Sequence, residues 1–132
     1  MSDDEARLAR LAQRFTQYVL DGIPQLVRLG YRPNEFQTMV HAYGAVGATK
    51  RLLADPRHTS YGFQKLYELG RLDSSVEFAV LLPWFEDLFT EDERYEARTR
   101  LVLHDFPVDA KLRSATATPP PWTNDEDGTN AM

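Results

Sequence analysis

The sequence predicts an all-α protein: a compact bundle of about five to six helices with a disordered C-terminal tail. Three observations predict it. Apolar residues recur at spacings of three and four along most of residues 8–102, which is the period of a helix face. Helix-opening residues (Ser, Thr, Asp, with acids behind them) and helix-closing ones (Gly, Asp-Pro) punctuate that pattern. Nowhere does an alternating run stand between hairpin turns. At 132 residues the chain makes one domain with a modest core, expected over 1–106, followed by a tail over 107–132.

The first helix is amphipathic. Leu8, Leu11, Ala12, Phe15, Tyr18 and Val19 share one face, and Ser2, Asp3 or Asp4 caps a first turn whose acids suit the helix dipole. Gly22 and Pro24 are expected to interrupt it, with a short helix through Ile23, Leu26, Val27 and Leu29 ending at Gly30. Pro33 opens a long helix carrying Phe36, Met39, Val40, Tyr43 and Val46 to Leu53, where Asp55-Pro56 ends it. Gly44, Gly47 and Ala48 lie on one side of this helix. Each internal glycine costs a helix about 1 kcal/mol relative to alanine, so close packing against a neighbour is expected to compensate. A phosphate-clamping reading of Gly44-Ala45-Val46-Gly47 is disfavoured, because the stretch is apolar and mid-helix.

Thr59 or Ser60 caps the next helix, through Phe63, Leu66, Tyr67 and Leu69, and Gly70 closes it in a left-handed conformation. Asp73 or Ser74 opens another, and Ser74-Ser75-Val76-Glu77 has capping-box spacing. Val76 and Phe78 to Leu82 are apolar nearly all round, which predicts the buried centre of the domain. Pro83 stops that helix or starts a short turn to Phe89. Thr90-Glu91-Asp92-Glu93 is a second capping box, opening a last helix through Tyr95, Ala97, Leu101, Val102 and His104. From about Pro107 the sequence is small, polar, proline-rich and acidic, which predicts disorder.

Composition excludes several chemistries. There are no cysteines, so disulfides, thiolate nucleophiles and cysteine-based zinc sites are out. The N-terminus is acidic and shows no signal peptide, and no apolar run approaches membrane-spanning length, so a cytoplasmic protein without membrane attachment is expected. The net charge of −5 is unevenly spread: residues 28–71 hold seven Lys/Arg against three acids, and residues 73–109 hold ten acids against three Arg. Solvated faces of different sign account for this better than a nucleic-acid surface, since a dedicated DNA binder is usually basic overall.

The corner Gly70-Arg71-Leu72-Asp73 has a structural explanation that outweighs a catalytic one. Gly70 ends one helix, Leu72 tucks in, Arg71 reaches the last carbonyls or pairs with Glu68 or Glu77, and Asp73 starts the next helix. With this corner, YGAVGATKRLL, GFQKLYELGRLDSSVEFAVL and PWFEDLFTEDERYEARTRL together resemble a small helical module found in many uncharacterised bacterial proteins. Its pattern is Gly-Phe, then Glu-x-Gly-Arg-Leu-Asp, then Leu-Phe-Thr-x-x-Glu. The resemblance covers residues 31–104 and implies an architecture and a loose association with defence against foreign DNA, with no activity attached. Residues 1–27 lie outside it and form an added N-terminal helix region.

No catalytic constellation emerges. His41, His58 and His104 lack metal-ligand spacing, Ser60 and Ser75 lack a nucleophile elbow, and Glu91, Asp92, Glu93 and Glu96 are explained by capping. No catalytic, cofactor-binding or metal-ligating residue is assigned and no cofactor is expected. Two binding features remain. Lys50, Arg51, Arg57 and Lys65, interleaved with Tyr61 and Phe63, have the composition of a phosphate-contacting patch with stacking aromatics. The stripe Leu8, Leu11, Phe15 and Val19 either completes the core, which is the favoured reading, or docks a protein partner. Pro119-Pro120-Pro121-Trp122 has the form of a polyproline ligand, although a solubilising tail explains it as well. The expected function is a non-catalytic protein-interaction module, an accessory component in a bacterial defence or mobile-element setting. The alternative is a nucleic-acid-associated protein using residues 28–71. Oligomeric state is open.

Overall fold

The computed structural model describes residues 2–57 and 60–126, the last two by backbone alone. The described residues form an all-α bundle with no strand: α1 (Asp3–Arg28), α2 (Asn34–Ala54), α3 (Tyr61–Glu68), α4 (Val76–Leu81), α5 (Glu91–Leu103), α6 (Val108–Thr116) and α7 (Trp122–Glu126). Short 3-10 turns at Leu72–Ser74 and Pro83–Leu88 flank α4.

The Ser2 side chain caps α1, accepting from Glu5 N–H at 3.0 Å, and Asp3, Asp4 and Glu5 sit in its first turn. Leu11 and Phe15 are its buried anchors, with Phe15 edge-on to Phe85 at 5.1 Å and to Phe89 at 5.2 Å. The interruption expected at Gly22 and Pro24 is corrected, since α1 runs on through both. Pro24 leaves the Leu20 carbonyl without its helical donor, but Leu20 and Pro24 are both exposed, so water can serve it, and buried Leu26 anchors the next turn.

Gly44 overturns a second expectation. It is a break in α2, not a packing glycine: its φ of +77° and ψ of 165° are closed to residues with a side chain, and a Cβ there would meet nothing within 4 Å. The chain bends there, and Ala45, Ala48, Thr49 and Leu53 beyond it face the core.

Two corners share one mechanism. At the end of α3, Gly70 has φ +69°, Arg71 N–H donates to Leu66 C=O at 2.8 Å and Gly70 N–H to Tyr67 C=O at 3.0 Å, a Schellman motif. The end of α1 repeats it at Gly30 (φ +94°), with Tyr31 N–H on Leu26 C=O and Gly30 N–H on Val27 C=O, both at 2.9 Å. Leu72 is buried as expected. Arg71, however, turns to Asp73 (3.2 Å), Ser74 (2.9 Å) and Gln25 of α1 (3.3 Å), so it ties the corner to the first helix instead of pairing with Glu68 or Glu77. Asp73 does not open α4, since Leu72–Ser74 is a 3-10 turn and Ser75 is the N-cap, accepting from Phe78 N–H at 3.1 Å.

α4 is the centre of the domain: five of its six residues are buried, and it packs on α5, α2 and both flanking turns. Thr90 and Glu93 complete the capping box of α5. The disordered tail expected from 107 is corrected over 108–126. Val108 is buried, Leu112 and Ala115 pack against the core, and the Trp122 ring lies 5.8 Å from Phe85 with the Arg14 guanidinium 5.4 Å from its centre. A few apolar side chains, spaced too sparsely to show a stripe, suffice once a preformed surface receives them. Residues 127–132 lie outside the described residues.

Candidate functional site

A cleft of about 590 Å³ opens between the end of α1, both ends of α2, the start of α3 and the start of α4. Its inner wall is apolar, with Leu26, Phe36, Met39, Leu52, Phe63 and Val76. Tyr31 and Tyr61 stand at one side with ring centroids 6.4 Å apart. Glycine at position 62 makes this arrangement possible: a Cβ there would lie 2.7 Å from the Tyr31 hydroxyl. Burial, helped by Tyr61 and Glu35, pushes the Tyr31 phenol above its ordinary range, so it stays a neutral donor.

Charge sits at the mouth. Asp55 accepts from Arg57 through Nε at 3.1 Å and through Nη2 at 2.6 Å, and this pairing holds Asp55 at about 2. Arg51 lays its guanidinium 3.7 Å from the centre of the Tyr43 ring. Arg32 makes no hydrogen bond or ion pair among the described residues.

Behind the wall lies a buried polar hub that the sequence pattern did not reveal. Arg100 on α5 is 2% exposed, and its guanidinium donates to Glu96 at 2.8 Å, to Leu53 C=O at 3.2 Å and to Asp55 C=O at 3.1 Å. It thereby closes the C-terminal end of α2, where a cation complements the helix dipole. Glu77 of α4, which also borders the cleft, is its more distant partner at 3.5 Å. Burial pushes the Glu77 carboxyl up, with the neighbouring Glu96 carboxylate adding to the shift, and together they outweigh a backbone hydrogen bond and the Arg100 guanidinium.

The sequence-predicted nucleic-acid residues are not brought together as a free patch. Lys50 is paired with Glu93 at 2.6 Å, Arg57 is held by Asp55, Arg51 lies on Tyr43, and Lys65 is half-buried on α3. Burial would raise Glu93, but the Lys50 ammonium and the Thr90 N–H outweigh it and hold the carboxyl below its ordinary range. Of the stripe on α1, Leu11 and Phe15 are in the core, while Leu8 and Val19 are half-buried at its edge, so that face closes this protein's own core. His58 and Thr59 lie outside the described residues.

Large apolar side chains stand exposed on several helices, among them Tyr18 and Leu20 of α1, Tyr43 of α2 and Tyr61 and Tyr67 of α3, and three of them share α5. Tyr95, Val102 and Leu103 are 72%, 54% and 72% exposed, while Ala97, Arg100 and Leu101 of the same helix are buried. Ala97, Arg100 and Leu101 define the inner face of α5, and Tyr95 and Val102 lie outside it. No cluster of His, Asp or Glu suited to a metal ion occurs among the described residues, and no helix among them is long and apolar enough to cross a membrane. Comparison with family models, characterised proteins and solved structures gives no match.

Proposed function

We propose that the protein is a non-catalytic helical interaction module that meets a partner protein through the outer face of α5. The observation that carries this reading is the pairing of Tyr95 with Val102 and Leu103, seven and eight residues on, exposed along one helix face. Glu91 and Asp92 stand exposed at the N-terminal end of the same helix, so the fitting partner is an apolar helix or strand with a basic flank. The likeness to a bacterial helical module adds a setting, defence or mobile elements, and that part rests on the likeness alone. Nucleic-acid contact through residues 28–71 is the weaker reading, because Lys50 and Arg57 are each neutralised by an acid of their own.

The test is affinity purification of the tagged chain from its host, with and without nuclease, alongside a Tyr95→Ser/Val102→Ser/Leu103→Ser variant. Surface changes of this kind alter stability by about 0.5 kcal/mol or less each, so the variant should keep its helicity. A nuclease-resistant partner lost from the variant is the expected result. A partner retained by the variant, or material lost on nuclease treatment, overturns the proposal.

A further inference from the structure

We propose that the cleft between α1, α2 and α3 is a binding site for a small amphipathic anion, an apolar body carrying one carboxylate or sulfonate. The volume of about 590 Å³ lies in the range of sites that enclose small organic ligands. Its chemistry is graded from inside to mouth. The inner wall offers Leu26, Phe36, Met39, Leu52, Phe63 and Val76, which suit an aromatic or alkyl body.

The mouth selects the charge. Among its charged groups, Asp55 and Arg57 satisfy each other, which leaves Arg32 and Arg51 facing the single acid Glu35. The Arg51 guanidinium sits 3.7 Å from the centre of the Tyr43 ring, and neither it nor Arg32 makes a hydrogen bond or ion pair among the described residues, so their N–H groups can grip an anion's oxygens. The Tyr31 hydroxyl adds a neutral donor, brought against α3 by the missing side chain at Gly62. Glu77 in the deeper wall does not oppose this choice of charge: burial favours its neutral form and Arg100 lies beside it. A cationic head would instead meet two arginines against one acid, Glu35.

The test uses the full chain and 8-anilinonaphthalene-1-sulfonate as probe, followed by fluorescence, with the neutral N-phenyl-1-naphthylamine as control. The expected result is saturable binding of one sulfonate probe per chain, at least tenfold tighter than the neutral dye and displaced by octanoate but not by octylammonium. Arg32→Glu/Arg51→Glu should weaken the sulfonate at least tenfold. Met39→Trp, which fills the apolar wall and leaves the charges in place, should weaken both dyes. Circular dichroism verifies that each variant is folded. Absence of one-to-one binding, equal affinity for the neutral dye, or indifference to either variant would overturn the proposal. An effect of the charge reversal without one of Met39→Trp would assign the probe to surface ion pairing and overturn it as well.

Discussion

Removing the Arg100 guanidinium should be among the costliest single changes to this fold. Arg100→Met keeps much of the aliphatic stem and removes the guanidinium, which strands the Leu53 and Asp55 carbonyls at the end of α2 and takes the nearby positive charge from Glu77 and Glu96. Breaking a buried ion pair from one side costs about 3–5 kcal/mol, so about 4 kcal/mol is expected here. That is a large share of the roughly 5–15 kcal/mol by which small domains are stable. In urea, with a slope of about 2 kcal/mol per M, the midpoint should fall by about 2 M at pH 7.

Glu77→Gln separates the two carboxylates. Because burial raises the folded-state value of Glu77 above its ordinary 4.5, the native protein holds this proton more tightly than the unfolded chain does. Stability contributed by this group is therefore fully present below pH 4.5 and is lost as pH rises through the raised value. Wild type should lose stability relative to Glu77→Gln as pH increases over that window. An Arg100→Met loss below about 1 kcal/mol, or a wild-type advantage over Glu77→Gln that grows with pH, would refute this account of the hub.

Three other changes probe the frame. Phe15→Ala empties the space between Phe85 and Phe89 and should cost about 3–5 kcal/mol by chemical denaturation. Gly44→Ala forces a side chain into a glycine-only conformation and should cost about 1–3 kcal/mol, although a Cβ there touches nothing. Trp122→Ala should lower the thermal midpoint by several degrees, equivalent to about 1–3 kcal/mol, since the ring packs on Phe85 and under Arg14; an unchanged midpoint would mean that the segment after α6 contributes nothing to stability.

The helical class, the Schellman corner at Gly70, the central burial of α4 and the Thr90 capping box were legible because each rests on local chemistry. What failed to show depends on tertiary context. In Ser74-Ser75-Val76-Glu77 the cap lies one residue later than capping-box spacing suggests, and that shift turns Glu77 from a capping acid into a core residue. One signal was available: Arg100 shares the inner face of α5 with Ala97 and Leu101, and Glu77 sits on a helix otherwise apolar all round. Opposite charges on two buried faces call for each other. The cleft left no such trace, because its walls come from four helices and no local pattern records their meeting.

The charge asymmetry was legible as well, but its consequence reverses in three dimensions. Lys50 of the basic segment binds Glu93 of the acidic one, so the opposing segments partly consume each other in an internal contact, and Arg7 of α1, outside both, takes up Asp87. A phosphate group approaching Lys50 would have to displace a carboxylate that also caps α5 through Thr90 N–H at 2.9 Å. Each phosphate contact neutralised contributes a slope of about −0.9 in log K against log salt, and with Lys50 and Arg57 engaged, half of the four-residue patch contributes none. Arg32 and Arg51 at the mouth of the cleft make no ion pair with any described residue. Two of the segment's basic side chains thus line the cleft, where the proposed small anion with an apolar body would meet them.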